Sequence, residues 1–185
     1  MNTPYSTFKI GLFGIGLDTY WAQFDGLLDR LNGYQNEIKS KLEELEVQVV
    51  DVGMVDTPFK AKNAASVFNK NEVDCINYKK FNAFGDRGKM TGEWLAHCQS
   101  CVAPELASVF NRAKISFDLV SGYLQEDFVW NEIKEHIDAV KVVKAMKHNR
   151  VGVMGHYYNG MLDVYSDLTT QASVFGNHFE IIEFG

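Results

Sequence analysis

Apolar positions along this chain alternate between two spacings. Lys9 to Leu12 opens a run of aliphatic, β-branched and aromatic residues bounded by glycines, which predicts a strand buried on both faces. From Trp21 the spacing becomes three and four. Trp21, Phe24, Leu27, Leu28, Leu31, Tyr34, Ile38, Leu42 and Leu45 fall on one stripe of a long helix, with Asp29, Arg30, Lys39 and Glu43 left to water. Val47 to Val55 predicts a second strand. Thr57 then offers an N-cap oxygen, and Pro58 suits the first helical position, where its missing N–H is no loss. That short helix runs to about Lys70, and Val73 to Ile76 starts a third strand. Strand, helix, strand, helix, strand implies a parallel sheet with right-handed crossovers.

The alternation then breaks. The segment FNAFGDRGK follows a strand of only four residues, with no further strand and helix between. Helical spacing returns around Met90 to His97 and from Pro104 to Ala113, and Ile115 to Val120 alternates as a strand does. Phe128, Ile133, Ile137, Val140 and Met146 mark a helix closed by Lys144, Lys147, His148 and Arg150, cations that suit a helix C-terminus. Val151 to Gly155 begins a second unit, with a helix expected over about Met161 to Phe175 and a strand over His178 to Phe184. The expected class is α/β: an open, Rossmann-like, doubly wound domain over 1–148, then the start of a second α/β domain over 149–185. One βαβ unit cannot cover both faces of its sheet, so the rest of that second domain is expected beyond Gly185.

Composition narrows the partners. The chain has 185 residues, 46% of them hydrophobic, enough for one good core. A formal net charge of −6 with scattered lysines argues against nucleic acid, whose phosphates demand clustered cations. No apolar run reaches the length of a bilayer span, and the N-terminus lacks the pattern of a signal peptide. Cys75, Cys98 and Cys101 are an odd number in a chain too large to need staples, which predicts reduced thiols and a cytoplasmic location.

Four groups of residues carry candidate chemistry. Gly11, Gly14 and Gly16 fall short of a dinucleotide fingerprint: Thr19 replaces its third glycine, and Asp51 lies too far along to meet a ribose. Their loop still ends a parallel strand, where open sheets bind ligands, and Asp18, Tyr20 and Trp21 there suit a sugar's hydroxyls and C–H faces. His97 and the Cys98-x-x-Cys101 pair have no second pair to complete a zinc site and fit small packed residues better. His156, Asp163 and Asp167 sketch a hard-metal site, yet acidic residues in early helical turns also simply complement the helix dipole, the reading preferred here. The loop His156-Tyr157-Tyr158-Asn159-Gly160 exposes aromatic and polar groups before a helix, as a ligand-facing loop does.

Three segments together, KIGLFGIGLDTYW, FNAFGDRGKMTGEW and NRVGVMGHYYNGMLDVYSDL, resemble the N-terminal part of the L-arabinose/L-fucose isomerase-type sugar isomerases. The resemblance runs over nearly the whole chain, which covers less than half of such an enzyme. It implies an aldose–ketose isomerase that uses manganese or another divalent ion, with carboxylates moving protons through an enediol. It places the two glutamate and two histidine metal ligands beyond Gly185, so no catalytic or metal residue falls in this chain, and the fragment alone is expected to be inactive. It further implies a homo-oligomer whose sugar pocket is shared between subunits. Asp18, Tyr20, Trp21, His156, Asn159 and Met161 would line that pocket, and the segment holding Phe84 and Arg87 would reach toward a neighbour. Phe84 stands where arabinose isomerases carry histidine, and Leu17-Asp18 where they carry Gln-His, so the resemblance implies a divergent branch and leaves the sugar open. A strand–helix–strand expected between Ile76 and Asn77 is missing. The competing class is a sugar-binding or sensing α/β module with no chemistry.

Overall fold

The structure, a computed structural model, describes residues 7–78, 91, 95, 102–147, 149–155, 160–161 and 165–183. It is an α/β fold with two parallel sheets. Two compact units divide the chain, Ser6–Glu135 and a second that holds His136–Gly185; the division falls inside a helix, Asp127–Lys147.

The first unit is built on β1 (Lys9–Ile15), α1 (Leu27–Glu43), β2 (Gln48–Val55), α2 (Pro58–Asn71) and β3 (Cys75–Tyr78). The strands are parallel in the order β2-β1-β3, so the first strand is central. The chain therefore moves one way from β1 to β2 and back past β1 to β3. Right-handed crossovers in opposite directions put α1 and α2 on opposite faces. The alternation of β1 agrees: Gly11 and Phe13 meet Phe68 of α2, while Gly14 meets Gln35 of α1. Ile10, Leu12, Leu42 and Phe68 form the buried centre.

Local chemistry accounts for the element ends. Thr57 caps α2 by accepting a hydrogen bond from the Lys60 N–H, with Pro58 next in line as its composition predicts. α1 starts six residues later than the apolar stripe. Gly26 takes a left-handed backbone at φ 73°, open to glycine without strain, and stops the helix from extending back to Trp21. β2 carries one residue more than β1 opposite it: Leu12 pairs with Asp51 but Gly14 with Met54. The bulge centres on Gly53, at φ 72°, and the Asp51 carboxylate accepts its N–H at 2.9 Å. β3 crosses the Ile76–Asn77 bond without a break, pairing both residues in step with Gly11 and Leu12.

α3 (Val102–Ala113) and α4 (Asp127–Lys147) follow. Ile115 to Val120 does not form the strand its alternation predicts; those residues are irregular, with Ile115 and Leu119 exposed. Leu124 just before α4 and Val129 and Ile133 in its first turns are buried, and the Lys41 ammonium of α1 sits 5.0 Å from the Trp130 ring centre.

In the second unit β4 (Arg150–Met154) pairs in parallel with β5 (His178–Ile182), joined through α5 (Leu168–Phe175). α5 is shorter than the predicted Met161–Phe175 helix. Asp167 caps it, its carboxylate accepting from the Thr169 and Thr170 N–H groups at 2.9 and 3.0 Å. Arg150 and Glu180 form an ion pair across the two strands. Among the described residues no helix is long and apolar enough to cross a membrane.

Candidate functional site

The chain leaves β1 through Gly16 and turns through Asp18–Tyr20 in a single 3-10 turn. Two backbone bonds fasten that turn to the end of β2: Gly16 N–H to Val55 O at 3.2 Å and Asp18 N–H to Asp56 O at 3.4 Å. A side-chain bond completes the tie, with the Trp21 indole N–H donating to Asp56 Oδ2 at 2.8 Å. The glycines make this approach possible. A Cβ on Gly16 would collide with the Trp21 ring, one on Gly14 would lie 2.7 Å from Gln35 Oε1, and one on Gly11 would lie 2.9 Å from the Phe68 ring. Close packing explains the glycine cluster.

Asp56 is the pivot. It is only 6% exposed, at the carboxyl end of β2 one residue before the cap of α2. The Lys60 ammonium, one helical turn on, lies 2.8 Å from each of its carboxylate oxygens. Burial pushes the Asp56 carboxyl up, but the bonds from Lys60 and Trp21 outweigh it and hold it below the usual carboxylate range.

Around this pair opens a cleft of about 580 Å³. Leu28 and Asn32 come from α1, Asp51 and Met54 from β2, and Lys60 and Asn63 from α2, with Trp21 and Asp56 at its end. Asp51 is engaged from behind: its Oδ1 accepts from Gln35 Nε2 at 2.5 Å as well as from Gly53. The arrangement offers a flat aromatic ring, two carboxamides and a carboxylate–ammonium pair, the set that orients a hydroxylated ligand.

Of the residues singled out from sequence, Trp21 lines this cleft. Asp18 is exposed on the same turn, and Tyr20 stacks edge-on against Phe24 with ring centres 5.9 Å apart. Met161 is exposed, 44%, in the second unit. Phe84, Arg87, His156 and Asn159, like His97, Cys98, Cys101 and Asp163, lie outside the described residues. Asp167 precedes α5 as its N-cap rather than lying within the helix. Both of its oxygens are taken by Thr169 and Thr170, which hold its carboxyl far below the usual range. Burial and the Asp74 carboxylate push the Cys75 thiol up to about 11, away from the thiolate form. Sequence reasoning missed Asp56, Lys60, Asn32 and Asn63. The i, i+4 spacing of Asp56 and Lys60 across a Thr-Pro cap was readable, but only the sheet end shows the pair facing a cleft. No family model and no curated protein matches this chain.

Proposed function

We propose that this chain is the N-terminal, sugar-facing part of a metal-dependent aldose–ketose isomerase of the L-arabinose/L-fucose type, its first unit an open, doubly wound α/β layer. The observation that supports this is the cleft beside the end of β2. Its Trp21 and Asp56 end lies at the carboxyl end of β2, the end at which open parallel sheets take ligands, and its indole, carboxamides and ion pair suit a sugar ring. The cleft does not fit the divalent ion of such an enzyme. Asp51 Oδ1 is engaged by Gln35 and Gly53, Asp56 is ion-paired with Lys60, and the Lys60 ammonium would repel a second cation. Among the described residues no group of three or more His, Cys, Asp or Glu is placed to hold a metal. The role proposed for this chain is to bind and orient the sugar, with manganese held by other segments of the enzyme. A cytoplasmic homo-oligomer with a shared pocket belongs to the same proposal, and the exposed Met154, Ile181 and Ile182 support it.

A second reading, a sugar-sensing module with no chemistry, is favoured by the Asp56–Lys60 ion pair, which ties up the buried carboxylate of the cleft as a recognition group. Calorimetric titration of the chain with L-arabinose and L-fucose tests what the two readings share. Saturable heat supports both, and the lack of any saturable aldose binding overturns both. Ketose formation by the protein in its full reading frame, supplied with manganese, separates the isomerase from the sensor.

A further inference from the structure

The cleft runs along the free edge of β2, which has β1 on one side and no strand on the other among the described residues, and both flanking helices line it. Its two ends differ in charge. At the carboxyl end Lys60 cancels Asp56. Farther back along β2 stands Asp51, half-buried and paired with no cation among the described residues. Its Oδ1 is held by two donors, Gln35 Nε2 at 2.5 Å and the Gly53 N–H at 2.9 Å. Its Oδ2 accepts from no group among the described residues and, unlike Gln35 Oε1, is not sealed from solvent. One oxygen therefore fixes the carboxylate while the other stays open, oriented before any ligand arrives. Asn32, one turn of α1 before Gln35, also lines the cleft, and no described residue engages its carboxamide or that of Asn63.

We infer that Asp51 binds the ammonium of a hydroxylated amine, so that the sugar this cleft takes is an amino sugar; the inference rests on the sugar-binding reading. A carboxylate without a counter-charge in a partly enclosed cleft favours a ligand that brings one, because charge-assisted bonds strengthen as water is excluded. Asn32 and Asn63 each offer a donor and an acceptor to hydroxyls. The repulsion from Lys60 is confined to its own end. Asp51 and Asp56 lie about 13 Å apart along β2, at roughly 3.3 Å per residue, beyond the roughly 8 Å screening length of physiological salt. A divalent metal would find one open carboxylate oxygen and two carboxamides, short of the roughly six oxygens it takes. An anionic ligand would meet like charge at Asp51.

The test follows the two donors that report on Asp51, the Gln35 side-chain amide and the Gly53 N–H, by nitrogen-15 NMR of the whole chain. The chain is titrated at mildly acidic pH, where the amine is charged, with glucosamine, N-acetylglucosamine and glucose. Glucosamine should shift both resonances saturably and bind roughly ten- to a hundredfold more tightly than either neutral sugar. Asp51→Asn keeps an oxygen for the Gly53 N–H and should erase that preference; if the variant does not fold, the three ligands compared on the parent chain decide. Equal affinity for the three overturns the amino-sugar class and spares the sugar-binding reading. A preference for glucosamine that survives in Asp51→Asn overturns the role of Asp51. Cyclohexylamine binding as tightly as glucosamine overturns the sugar part of both proposals, and a saturable shift of the same two resonances by manganese overturns the organic-cation class. Absence of any shift with all three sugars overturns both.

Discussion

β1 and β4 begin from nearly the same sequence, Lys9-Ile-Gly-Leu-Phe-Gly and Arg150-Val-Gly-Val-Met-Gly, and meet opposite fates. β1 is central, flanked by two strands and covered by a helix on each face, and Ile10 and Leu12 are shut off from water. β4 has one strand neighbour among the described residues, and Met154 at its end is 64% exposed. Its partner β5 leaves Ile181 and Ile182 similarly open. Apolar content sets what a strand is able to bury, while the number of neighbours sets what it does bury.

Core truncation should break the symmetry of the two motifs most clearly. Leu42→Ala in the first unit should lose about 3–4 kcal/mol in urea unfolding, the range for a fully buried leucine. Ile181→Ala in the second should lose less than about 1 kcal/mol. Equal losses would mean that β5 is covered after all, as it would be within an oligomer. A smaller contrast is expected between two matched glycines. Gly11→Ala drives a methyl group against the Phe68 ring and should lose about 1–3 kcal/mol. Gly152→Ala meets only the far end of Ile182, 3.2 Å away, and should stay within about 0.5 kcal/mol of the parent.

Acid should act on both units through one carboxylate in each. Asp56 and Asp167 have carboxyls held below their ordinary value in the folded chain. Each therefore adds stability that is fully present above the unfolded carboxylate range and fades as pH falls through it toward the lower folded value. Urea midpoints from pH 7 to pH 3 should decline, and Asp56→Asn should flatten the decline for the first unit alone. An unchanged slope would show that the Asp56–Lys60 pair does not survive in solution. The smallest effect expected is none: manganese should not raise the melting temperature of this chain. A rise abolished by His156→Ala or Asp163→Ala would place a metal site in the second unit and reverse the preference for a purely binding role.

Much of this architecture was legible from spacing because it is local. The Thr57-Pro58 start of α2, the start of β1 at Lys9, the extent of β2 and the parallel pairing follow from periodicity and capping chemistry. What failed was decided at a distance or by a competing local bond. Trp21 sits in phase with the α1 stripe, but its indole N–H goes to Asp56, 35 residues away, and Gly26 ends the helix first. Ile115 to Val120 has the alternation of a strand but no strand partner among the described residues. Asp167, read as a residue within a helix, uses its carboxylate to start one. The cleft was half legible: Trp21 came from its loop position, whereas Asp56 and Asn32 acquire meaning only when α1 and α2 flank the same strand.

The extra residue in β2 sets the phase of everything after it. Side chains on a strand alternate faces, so a one-residue insertion exchanges inside and outside for the rest of the strand. Gly53 adds that step between Asp51 and Met54. A regular ladder that kept Gly53 would set Gly53 opposite Gly14 and Met54 opposite Ile15; the bulge takes up the extra residue instead and leaves Met54 opposite Gly14 and Val55 opposite Ile15. A glycine with no side chain thus stores one residue of slack: deleting its codon would leave Met54 opposite Gly14 and Val55 opposite Ile15 in an unbroken ladder, with the same partners for the residues that lead to Asp56.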